Sequence, residues 1–142
     1  MFGRNGKLDT DWLSSIPFFE GFSQPELEAV ARLGEQVDAE AGTELIDQGR
    51  VGDVSYIIVS GSAAVHIRGE FVTSVGAGTM IGEMALVEHR PRNASVTAET
   101  DMVLVSLGTK EFAKLLAKSP TTQERVMDML NERLAANAER SG

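Results

Sequence analysis

Between Gln36 and Leu107 the chain is divided by glycine into short β-prone runs, and this punctuation narrows the possible folds more than any other feature. The runs are Glu44–Ile46, Val54–Val59, Ala63–Ile67, Phe71–Val75 and Ser95–Leu107, the last with a break near Thr100-Asp101. Gly42, Gly49, Gly52, Gly61, Gly69, Gly76 and Gly78 fall between them, where turns need positive φ or close backbone approach. Several short strands at this spacing predict a mainly β domain: an antiparallel β-roll of the double-stranded β-helix, jelly-roll-like kind. Arg68-Gly69-Glu70-Phe71 reads as a tight hairpin with Gly first in the turn. Ser60-Gly61-Ser62 reads as a turn rather than a nucleophile elbow, because no strand-to-helix pattern follows it.

Helical patterns flank the roll on both sides. Residues Met1 to Thr10 are Gly-rich and polar and read as a loose lead; structure is expected from Trp12. Trp12, Leu13, Ile16, Phe18, Phe19 and Phe22 then gather apolar bulk around Pro17 and Gly21, which implies short helical turns. Ser23 with Glu26 three residues on is a capping box, and Leu27, Val30 and Ala31 follow at helical spacing until Gly34. After the roll, Thr109 is positioned to cap a helix carrying Phe112, Leu115 and Leu116. Ser119 as cap and Pro120 at the first helical position introduce another, with an apolar stripe of Val126, Met127, Met129, Leu130 and Leu134. One domain over 1–142 is expected, with a helical lead at 1–35, the roll at 36–107 and the C-terminal helices at 108–142. At 142 residues the chain is long enough for one core and too short for two ordinary domains.

The densest chemistry lies in residues 81–96, Ile-Gly-Glu-Met-Ala-Leu-Val-Glu-His-Arg-Pro-Arg-Asn-Ala-Ser-Val. Gly82 leaves the backbone uncovered, Glu83 places a carboxylate at the start of a short helical run, and Arg92 returns a guanidinium after a Pro-marked turn. Exposed amides at a helix start favour an anion, and Arg offers a fork matched to phosphate oxygens. The segment therefore suits a phosphate on a molecule that also bears hydroxyls, with the carboxylate accepting one of them. An ordinary surface ion pair between Glu83 and Arg92 is the plainer reading of the two residues alone, and it would contribute little.

The ordered set Ile81, Gly82, Glu83, Ala85, Leu86, Pro91, Arg92, Ala94 and Ser95 resembles the phosphate-binding cassette of cyclic nucleotide-binding domains, the family of catabolite activator proteins and cAMP-dependent kinase regulatory subunits. The lead through Pro-Phe-Phe-Glu-Gly-Phe and the order Gln48-Gly49, Gly52-Asp53, Tyr56-Ile57-Ile58, Ser60-Gly61 are also similar to the family. The resemblance implies that Glu83 accepts a ribose hydroxyl, that Arg92 pairs with the cyclic phosphate, and that amides around Gly82, Met84 and Ala85 complete the phosphate shell. Ala94 and Ser95 close the motif. Asn93 departs from the usual Ala, Ser or Thr, and its amide has a donor and an acceptor for phosphate or base. Val65, Ile67 and Val75 are candidates for the base pocket, with plain core packing as the alternative. The resemblance makes the C-terminal helices hinge and lid, with Met127, Leu130 or Leu134 covering the base; the same stripe equally suits packing on the roll or against a second copy in a homodimer.

The net charge of −8 argues against a nucleic-acid partner, because a polyanion calls for clustered Lys and Arg. Cysteine is absent, which excludes disulfide and thiol chemistry, and His66 and His89 lack the spacing of a metal site, so no metal is expected. No apolar run approaches a membrane span or a signal peptide, which points to the cytoplasm and away from a membrane. The acidic residues read mainly as solvated helix faces. The expectation is a non-enzymatic, stand-alone sensor of a cyclic nucleotide, cAMP ahead of cGMP, acting on a protein effector in trans. A nucleotide-free interaction platform is the alternative, and a small enzyme with an unseen site a more distant one.

Overall fold

The structure is a computed structural model that describes residues 2–4, 8–46, 54–82 and 94–141, with side chains for 8–46, 54–82 and 94–132. Four of the expected runs appear as β3 (Glu44–Ile46), β4 (Val54–Ser60), β5 (Ala63–Ile67) and β6 (Glu70–Val75). The broken run becomes β8 (Ser95–Ala98) and β9 (Met102–Gly108). Three strands lie outside those runs: β1 (Phe2–Arg4), β2 (Glu35–Ala39) and β7 (Met80–Ile81). The lead is therefore not wholly loose, since Phe2–Arg4 pairs antiparallel with Val37–Ala39.

Among the described residues the strands form two antiparallel sheets, one of order β1-β2-β9-β4-β7 and one of order β3-β8-β5-β6. The long strands of the first sheet have two apolar faces. Ile58 and Leu104 point into the roll, where they meet Leu45, Ile46, Ala63, Ile81, Val96 and Met102; Ile57, Val105 and Leu107 point outward to the helices. Side chains alternate across a strand, so the neighbours Ile57-Ile58 and Leu104-Val105 serve different cores.

The β5–β6 hairpin turns on two residues. Arg68, not glycine, takes the first turn position with φ 53°, and Gly69 follows at φ 81°. Positive φ at both positions is what a type I′ connection requires. Gly61 holds a tighter turn: with φ +89°, an added Cβ would stand 2.5 Å from the Asp101 carbonyl oxygen.

On the outer face lie α1 (Thr10–Ser14), a 3-10 turn at Pro17–Phe19, α2 (Gln24–Leu33), α3 (Thr109–Lys118) and α4 (Pro120–Ser141). Phe18, Phe19 and Phe22 pack edge-on or tilted, with ring centroids 5.1 to 6.4 Å apart, and bury the lead against α3 and the sheet. Gly108, not Thr109, stands at the N-cap of α3, because the helix already includes Thr109. Ser119 does cap α4, its Oγ accepting from the Thr122 amide at 3.1 Å.

The capping box of α2 is complete. The Ser23 amide donates to Glu26 Oε1 at 3.0 Å, and the Glu26 amide donates to Ser23 Oγ at 3.3 Å. The same carboxylate also reaches the start of α4, a contact the capping box does not announce. Glu26 Oε2 accepts from Ser119 Oγ and from the Thr121 amide at 3.1 Å, and Oε1 accepts from Thr121 Oγ1 at 3.0 Å. Burial pushes this carboxyl upward, but the bonds from Ser119, Ser23 and Thr121 outweigh it and hold the pKa at about 2.

Candidate functional site

The family-like segment starts from one sheet and ends on the other. Tyr56 pairs with Ile81 on β7, at the edge of the first sheet, and Gly82 follows at φ +88°. At the other end Ser95 and Val96 enter β8, opposite His66 and Val65 of β5 in the second sheet. The chain between Gly82 and Ala94 thus passes from sheet to sheet. Glu83, Met84, Ala85, Arg92 and Asn93 lie outside the described residues, as do His89, Gln48-Gly49 and Gly52-Asp53.

Among the described candidates, Gly82 takes a positive φ. Its φ is one that L side chains rarely adopt, so glycine serves the turn that leaves β7. Ala94 and Ser95 are half-buried at the start of β8. Val65 and Val75 pack against the inner core without being fully covered, while Ile67 is half-buried near the hairpin and outside that cluster. Tyr56 shares the partly covered inner position and stands beside the Ile81-Gly82 exit. The roll's interior is therefore sealed by Ile58 and Leu104 at its centre and is less covered at Val75 and at Tyr56 and Val65, the last two paired with residues at the two ends of the segment.

In the sequence Tyr56 figures only in the strand pattern and in the family-like order Tyr56-Ile57-Ile58, without a role in the site. A tyrosine inside a β-prone run gives no sign of its neighbour across the sheet, and that neighbour is what sets it beside Gly82. His66 lies on β5 with its ring edge-on to Phe71 at 5.8 Å. Among the described residues no group of three or more His, Cys, Asp or Glu is placed to hold a metal.

The lid candidates sit elsewhere in this arrangement. Leu130 packs with the helix-side core, on the far face of the first sheet from the roll's interior, and Met127 is 54% exposed. Both line an apolar cleft between α3 and α4, together with Leu116, Ala117, Gln123 and Val126. The side chain of Leu134 lies outside the described residues.

Residues 36–119 match the family model of the cyclic nucleotide-binding domain. The chain belongs to this family. It is 32% identical over 113 residues to a cGMP-dependent protein kinase of Toxoplasma gondii, covering 80% of this chain and 11% of that one. It is 36% identical over 110 residues to a cAMP-dependent protein kinase regulatory subunit of Eremothecium gossypii, covering 77% of this chain and 24% of that one. The chain thus spans a quarter or less of these relatives. A cyclic nucleotide-binding domain from Methylobacillus flagellatus superposes with a TM-score of 0.82 at 23% identity, over 98% of this chain and 86% of that one, which establishes the shared β-roll with its flanking helices.

Proposed function

We propose that this domain binds a cyclic nucleotide between the inner wall of the roll and residues 81–96, with cAMP preferred to cGMP, and passes binding on through its C-terminal helices to a protein effector in trans. The observation that carries the reading is the family match across 36–119, which encloses the whole segment with Gly82, Glu83 and Arg92 in place. Arg92 and the amides of Gly82, Met84 and Ala85 take the cyclic phosphate, Glu83 accepts the ribose hydroxyl, and Asn93, Ala94 and Ser95 complete the shell. Val65 and Val75, with Tyr56, offer the base its apolar wall. Relatives named for cGMP and for cAMP both align here, so the preference for cAMP rests on Asn93, which stands where a threonine is associated in the family with preference for guanine, and on the wide use of cAMP in the family.

Binding does work on the helices only to the extent that the ligand favours one arrangement over another. The proposed site of action is the cytoplasm; among the described residues no helix is long and apolar enough to cross a membrane. A second copy docking along α4 is one route by which the helices would report occupancy.

The test is calorimetric titration with cAMP and, separately, cGMP, on protein shown to be folded and free of co-purified nucleotide. Saturable binding of cAMP is expected, weakened on the order of a hundredfold by Arg92→Ala through loss of charge-assisted bonds to phosphate. Affinity unchanged in Arg92→Ala contradicts the assigned site. Silence with both nucleotides contradicts the sensor and leaves the interaction platform.

A further inference from the structure

The root of α4 is fastened at two points to the helical lead. Four hydrogen bonds converge on the Glu26 carboxylate, one from the amide of Ser23 at the N-cap of α2 and three from Ser119 and Thr121 at the start of α4. One turn further along, the Arg125 guanidinium donates through Nη1 to the Phe18 carbonyl and through Nη2 to the Glu20 carbonyl at 2.7 Å. Its Cζ also lies 5.7 Å from the ring centre of Phe18 and 5.8 Å from that of Phe22. Glu26 is 8% exposed, and Ser119 and Thr122 are fully buried.

We infer that Glu26 and Arg125 join the lead and residues 119–125 into one mechanical unit, so that the bend available to α4 lies beyond Arg125 and not at the Ser119-Pro120 junction. Both groups are positioning residues. Lifting α4 at Ser119 would strip three donors from a buried carboxylate and leave the first amides of the helix without it, and an unpaired buried charge is strongly unfavourable. Val126 is still buried in the helix-side core, and beyond it the restraint weakens: Met127 is exposed, Leu130 is only partly buried, and the cleft beside α3 leaves apolar space against which the helix can settle or lift. The Ser119-Pro120 junction between the two helices is therefore the more firmly held point.

Amide hydrogen exchange on the unliganded protein tests this without reference to nucleotide binding. In Glu26→Gln, the amides of Ser23, Glu26 and Leu27 and those of Thr121, Thr122 and Gln123 are expected to exchange at least fivefold faster, and by a common factor. Leu107 and Leu115, held by other elements, should keep their rates. Acceleration of only one of the two groups, of neither, or of Leu107 and Leu115 to the same degree overturns the proposal. Should Glu26→Gln not fold, Thr121→Val removes a single donor to the carboxylate, and its exchange is judged by the same outcomes. Saturating cAMP adds a second arm, which rests on the proposed function: the two groups should change together, and a change in 119–125 with the lead unaltered overturns the unit. Absence of cAMP binding counts against the proposed function alone and leaves the first arm decisive.

Discussion

At pH 7 the Glu26 carboxylate is ionised and fully bonded, and acid is the simplest way to remove it. Its folded pKa of about 2 lies below the ordinary 4.5, so its contribution to stability is complete above about pH 4.5 and is lost as pH falls toward 2. The bonds from Ser23 and Thr121 are only partly buried, so solvent screening holds that contribution to about 1–2 kcal/mol. Denaturant unfolding of the native protein and Glu26→Gln should show a stability difference at pH 7 that narrows through this window; a constant difference would contradict the assignment. The glycines separate strain from crowding in the same way. Gly61→Ala meets both a positive φ and the Asp101 carbonyl, whereas Gly42→Ala at φ +90° meets no atom within 4 Å. Thermal unfolding should show a loss of about 1 kcal/mol for Gly42→Ala and at least about twice that for Gly61→Ala. The sequence made the capping box legible because Ser23 and Glu26 are three residues apart. It hid the bond to Ser119, 93 residues away, because the local motif already gives Glu26 a purpose.

The elements divide according to what specifies them. Runs such as Val54–Ser60 and Ala63–Ile67 carry enough β-branched and apolar residues to be recognised alone, and they formed as expected. Glu-Gln-Val-Asp-Ala in β2 and the two residues of β7 carry little such signal; they are strands because β9 and β4 offer them backbone partners. The double-faced character of β4 leads to a prediction at this scale. Ile57 and Ile58 are both fully buried, and replacing either by alanine should cost about 2–5 kcal/mol in denaturant unfolding. Only Ile58→Ala removes volume from the roll's interior, so nucleotide affinity, titrated under conditions where both variants are folded, should fall for Ile58→Ala and hold for Ile57→Ala. Equal losses of affinity would argue that the site does not lie inside the roll.

Across the whole molecule, the first sheet is a shared wall: one face closes the roll, and the other carries the helices. The sequence made this three-part order legible through glycine spacing, capping signals and the family-like segment. It left open where α4 rests, because a helix with one apolar stripe can settle on several surfaces, and the bonds of Glu26 and Arg125, the phenylalanines of the lead and the burial of Val126 select one of them. The proposed binding site lies between the inner wall of the roll and residues 81–96. Chemical-shift mapping of the backbone amides during titration with cAMP tests it most directly, with 5′-AMP as the comparison. The predicted result is a saturable set of shifts centred on residues 82–95 and extending to Tyr56, Val65 and Val75, absent with 5′-AMP at the same concentration. Shifts confined to the α3–α4 cleft around Leu116 and Val126, or none in a folded protein, would contradict it.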